Sequence, residues 1–64
     1  MTEIPDDIRQ AFAELTGRFE DASAIAACGQ SVRTRSAAMR QTARLAASLR
    51  KMRALLDRIE ERLR

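Results

Sequence analysis

The sequence has no histidine, tryptophan or tyrosine, one cysteine (Cys28), one proline (Pro5) and only two glycines. Each shortage excludes something. Without histidine there is no imidazole acid or base and no His-based triad, and one thiol by itself cannot assemble an ordinary zinc site. A lone cysteine rules out an intrachain disulfide and fits a reducing compartment. The scarcity of glycine and proline argues against turn-rich β structure, and no glycine-rich phosphate loop or metal-spaced Cys/His cluster is present. Two carboxylate neighbourhoods, Glu20-Asp21 and Glu60-Glu61, superficially resemble acid pairs. Adjacent residues diverge by about 100° on a helix, so these read as solvated charge. The expectation is a protein that is not an enzyme, with no cofactor, no metal and no small-molecule substrate.

Long hydrophobic runs are missing as well. The longest, Ala24 to Cys28, is far too short to span a bilayer. The opening Met1-Thr2-Glu3-Ile4-Pro5-Asp6-Asp7 is acidic, without the basic start and apolar core of an export signal. A cytoplasmic protein is therefore expected, and a membrane is not favoured as a partner, because residues 32 to 47 offer mainly alanine where a surface-seeking helix needs bulky apolar groups.

What is present is a chain of 64 residues, 45% hydrophobic and 33% charged, which points to one all-α domain over residues 1–64. A chain of this size buries only about 60% of the surface that its unfolded form exposes. With no disulfide or metal to help, the missing burial is expected from a homo-oligomer or a protein partner.

Pro5 suits the first position of a helix, and Asp6 and Asp7 complement its dipole. Ile8, Phe12, Leu15, Phe19, Ala22 and Ala26 then recur at alternating steps of four and three, which makes one apolar stripe. Cys28-Gly29-Gln30-Ser31 reads as a stop and restart, with Gly29 as a C-cap and Ser31 as the next N-cap. Arg33 and Arg35 would put positive charge into that second first turn, against the dipole. Ala38, Thr42, Leu45, Leu49, Met52, Leu56, Ile59 and Leu63 form a cleaner heptad seam. The two stripes are out of phase, which favours two helices over the alternative of a single long coiled-coil helix.

The predicted architecture is a two-helix antiparallel hairpin: a helix over 5–28, a turn at 29–30 and a helix over 31–63. Folding back there sets Ile8 near Met52, Phe12 near Leu45 or Leu49, and Phe19 near Met39 or Arg40. Ile59 and Leu63 would overhang, which asks for a second molecule. A weaker face of Val32, Met39, Ala43, Ala46, Ala47 and Ala54 suggests close helix approach, so the hairpin is expected to pair into a homodimeric four-helix bundle.

Charge divides the chain. Residues 1–30 carry six acids and two arginines, whereas residues 31–64 carry ten basic residues and three acids. The hairpin would bring Asp7 near Lys51 and Glu14 near Arg44. Arg33, Arg40, Arg44, Lys51, Arg58 and Arg62 fall close to one line on a helical projection, a candidate stripe for an anionic ligand. Against nucleic acid, the only aromatics, Phe12 and Phe19, lie on the predicted buried seam, leaving no stacking platform. The leading expectation is a non-catalytic helical interaction module (an adaptor, regulator or co-chaperone) that packs along the partner or oligomer seam Ile8, Phe12, Leu15, Phe19, Leu45, Leu49, Met52, Leu56, Ile59 and Leu63 and works through the exposed Leu56, Ile59 and Leu63 end and the arginine stripe. The alternative is a small DNA- or RNA-binding protein using the arginine stripe.

Overall fold

The computed structural model describes residues 3–64; Met1 and Thr2 of the acidic leader lie outside the described residues. Two helices, α1 (Asp6–Gly29) and α2 (Arg35–Arg62), pack antiparallel as a hairpin, and no strand occurs among the described residues. Two separate helices exclude the single long helix. Pro5 stands just outside α1 in extended backbone, and its carbonyl accepts from Ile8 N and Arg9 N at 3.1 and 3.4 Å. Asp6 and Asp7 occupy the first turn, where exposed N–H groups favour negative charge.

The connection is longer than the sequence suggests. α1 ends by tightening: Gln30 N donates to Ala27 O and Ser31 N to Cys28 O, each at 3.1 Å. No glycine among the described residues has positive φ, so Gly29 is simply the last helical residue and supplies no left-handed cap. α2 begins at Arg35, four residues later than predicted. Its N-cap is Thr34, not Ser31: Thr34 sits in extended backbone and its Oγ1 accepts from Ala37 N at 3.0 Å. This later start leaves Arg33 outside the helix, so only Arg35 meets the unfavourable dipole end.

A five-residue connection in place of two shifts the register. At the open end Arg62 grips Asp7, and near the turn Gln41 Nε2 donates to Ile25 O at 2.9 Å. Between these ties, antiparallel pairing sets Ile8 level with Ile59, Leu15 with Met52 and Ala22 with Leu45. Relative to the predicted Ile8/Met52 pairing, α2 has slid by about two turns. Asp7 accordingly pairs with Arg62 and not with Lys51. Ile59 does not overhang; it is 3% exposed in the core.

The buried set is small. Ile8, Ala11, Leu15 and Ala22 of α1 pack with Met52, Leu55 and Ile59 of α2, Leu45 lies partly buried against them, and Ser48 is the one buried polar residue among those described. Written as heptads, Ile8, Leu15 and Ala22 take position a and Ala11, Arg18 and Ile25 position d. On α2, Leu45, Met52 and Ile59 take a, and Gln41, Ser48, Leu55 and Arg62 take d. The large apolar residues crowd the open end, while Arg18, Ser48 and Gln41 thin the seam toward the turn. The Cα atoms span 54 × 16 × 11 Å, one helix layer thick.

Candidate interaction surface

A single layer has two broad faces. In an antiparallel pair the e positions of both helices line one face and the g positions line the other. Here e is Phe12, Phe19 and Ala26 on α1, and Thr42, Leu49, Leu56 and Leu63 on α2. Position g is Asp7, Glu14, Asp21 and Cys28 on α1, and Arg44, Lys51 and Arg58 on α2. One face is apolar and the other is charged, with acids along α1 beside bases along α2.

The apolar face holds the side chains that the hairpin fails to bury. Phe12 is 50% exposed, Phe19 61%, Leu49 51% and Leu63 59%. Pairing sets Phe12 level with Leu56 and Phe19 level with Leu49. A groove runs between the helices there, floored by Leu15 and Met52 and rimmed by Phe19, Leu49, Leu56 and the stem of Arg53. Exposed Met39 continues the face toward the turn, above a second shallow groove lined by Ala38, Thr42, Ala43 and Ala46. Among the described residues seven large hydrophobics are exposed and five are buried, and both aromatic rings are among the exposed. Large apolar side chains left exposed together on one face make it the candidate contact surface.

The predicted seam is therefore split. Ile8, Leu15, Met52 and Ile59 are buried and Leu45 is partly buried inside the hairpin, while Phe12, Phe19, Leu49, Leu56 and Leu63 face outward. The aromatics are not buried, which corrects the sequence expectation. The hairpin closes instead on Ala11 and Leu55, both buried. The tandem Leu55-Leu56 was the available signal, since two leucines one step apart can serve two faces of one helix.

The predicted anionic stripe is broken at both ends. Arg33 lies in the connection, and Arg62 is bound to Asp7 through Nε at 2.8 Å and Nη2 at 3.1 Å, a two-pronged pair. That hydrogen bond first, and the Arg62 charge with it, hold the Asp7 carboxyl below its ordinary 3.8. Arg40 donates to Ser36 Oγ at 2.9 Å on its own helix. Arg44 and Lys51 line a groove shared with Asp21, Arg18 and Ser48 on the charged face, and Arg58 lies further along the same face. Cys28 is exposed near the turn. Among the described residues no cluster of metal-ligating side chains occurs and no helix is long and apolar enough to cross a membrane. No protein-family model, curated protein or solved structure gives a significant match to this chain.

Proposed function

We propose that the protein is a non-catalytic helical interaction module that binds through helix packing on its apolar face. The observation that carries this reading is the exposure of Phe12, Phe19, Leu49 and Leu56 on one side of the layer. Domains consist of at least two packed layers around a core, and a single helical layer with one apolar face is half of such a domain. Burying that face against further helices supplies the missing half.

The arrangement favours this over nucleic acid. The bases of α2 run beside Asp7, Glu14 and Asp21, which lower the positive potential of the face that would meet phosphates. Both phenylalanines stand on the opposite face, away from those bases, so charge and stacking do not converge.

Assembly and partner capture by wild type, Phe19→Asp, Leu56→Asp and Arg44→Gln test the reading. A charge introduced on the packed face abolishes binding, while Arg44→Gln leaves it intact. Equal behaviour of all four proteins, with circular dichroism reporting the same helix content, overturns it.

A further inference from the structure

We infer that the occupant of the apolar face is a second copy of this chain, seated face to face about a two-fold axis parallel to the helices, with both turns at the same end. This rests on the reading above and adds the partner and its orientation. Four observations support it. Position a is apolar on both helices, Ala11, Ile25 and Leu55 add apolar d positions, and Phe12, Phe19, Leu49 and Leu56 add apolar e positions; an apolar e beside the a/d seam is the pattern of a bundle helix that packs on two sides, whereas an isolated pair needs only a and d. The broad face measures 54 × 16 Å between Cα extremes, enough to supply the about 800 Å² per partner of a standard interface. The face is also self-complementary in size. The two-fold axis lays Phe12 over Leu56 of the second copy and Phe19 over Leu49, a large ring against a smaller side chain at each level.

Charge supplies the fourth. Glu20 and Arg50 are exposed and form no ion pair within the chain among the described residues. They flank the apolar face on its two outer margins within one helical turn of each other in level, and the axis brings Glu20 of each copy within side-chain reach of Arg50 of the other. It likewise brings exposed Arg9 beside Glu60, whose contact with Arg53 of its own chain is long, at 3.9 Å. No like-charged pair arises. The other two-fold arrangement, with the axis across the helices and the turns at opposite ends, stacks phenylalanine on phenylalanine and sets Arg53 against its own copy. Its one favourable new pair, Arg50 with Asp57, competes with the existing Arg53–Asp57 bridge at 2.9 Å.

The native cysteine reports the orientation. Cys28 lies on the charged face, away from the contact, and a spin label there leaves the contact untouched. With both turns at one end the labels are separated only by the width of the bundle, about 20 to 30 Å; with turns at opposite ends, some 25 residues of helix intervene and the separation is about 40 Å. Sedimentation equilibrium of the full chain should give a dimer, and pulsed electron paramagnetic resonance of the labelled dimer a distance below about 30 Å. Glu20→Arg should raise the dimer dissociation constant several-fold, and adding Arg50→Glu should restore it. A monomer at every concentration overturns self-pairing, and if Phe19-dependent capture of another protein persists, the interaction reading still stands. A dimer with a distance near 40 Å, or with no restoration in the charge-swapped variant, overturns the orientation.

Discussion

Arg62 reaches from the last turn of α2 to Asp7 in the first turn of α1 and holds its carboxylate with two parallel N–H donors, at 2.8 and 3.1 Å. The pair joins the two ends of the described fold and faces water on both sides. It also joins two favourable dipole positions, an acid at a helix N-terminus and a base at a helix C-terminus. Because the bond lowers the Asp7 pKa in the folded state, its contribution is fully present above the ordinary value of 3.8 and is lost as pH falls through the lower folded value. The difference in thermal midpoint between wild type and Asp7→Asn should therefore be constant from neutral pH to about pH 5, shrink below pH 4 and vanish in stronger acid. A difference that persists unchanged to the lowest pH would mean that the carboxylate charge contributes nothing.

The core and the apolar face should respond differently to truncation. Ile59 is 3% exposed and Leu49 is 51% exposed. Ile59→Ala should destabilise the hairpin by about 2 to 5 kcal/mol, enough to unfold most of a domain this small. Leu49→Ala removes a half-exposed side chain and should change the stability of dilute protein by under about 1 kcal/mol. Its effect appears instead in assembly: the wild-type melting temperature rises with protein concentration, and Leu49→Ala flattens that dependence. Circular dichroism melts over a hundredfold range of concentration measure both, and equal losses in the two variants would contradict the split seam.

Much of this was legible in the sequence, and the rest fails at identifiable residues. The heptads of α1 and α2 and the antiparallel hairpin follow from periodicity and from the phase break between them. The sequence points to too early a turn because Gly29 and Ser31 carry the usual cap signals, and only side-chain geometry distinguishes Ser31 from Thr34. That error of four residues propagated along the register by about two turns and placed Ile59 outside the core. Periodicity also fixes a stripe only to within about one residue. Ile8, Leu15, Met52 and Ile59 belong to the seam under either choice of alternate positions, but the choice between Phe12 and Ala11, or between Leu56 and Leu55, depends on which face the partner helix covers. By bulk alone Phe12 and Phe19 are the stronger seam candidates. The second helix covers the small Ala11 and part of Arg18 instead.

The revised start of α2 has its own test. Thr34→Ala removes the acceptor for Ala37 N and should destabilise the protein by about 1 kcal/mol, while Ser31→Ala, in the connection, should be neutral within about 0.5 kcal/mol. Urea titrations with a common slope decide between the two caps. The reverse order of effects would restore the helix start to residue 31.

Arg18 occupies a d position of α1 level with Ser48, and its side chain is 35% exposed and 3.9 Å from Glu14. At that distance and exposure the ion pair contributes little. Its place in the seam is between Leu15 and Ala22, where an apolar residue would join the buried set. Arg18→Leu should raise stability by roughly 1 kcal/mol, and hydrogen exchange at the turn end of both helices should slow because the core then extends past Ser48. Unchanged exchange there would show that the turn end is limited by the connection and not by the seam.

The charged face makes the last distinction. If the bases of α2 serve to accompany the acids of α1, wild-type protein should not be retained on duplex DNA at about 0.15 M salt, since each phosphate contact must compete with a carboxylate on the same face. Glu14→Gln with Asp21→Asn removes two of those carboxylates without touching the apolar face. That double variant should acquire retention that falls steeply as salt is raised, and its self-association should stay at the wild-type level. Retention by wild type that disappears in an Arg40→Gln, Arg44→Gln, Lys51→Gln triple variant would instead make the charged face a phosphate-binding surface and the apolar face its means of pairing.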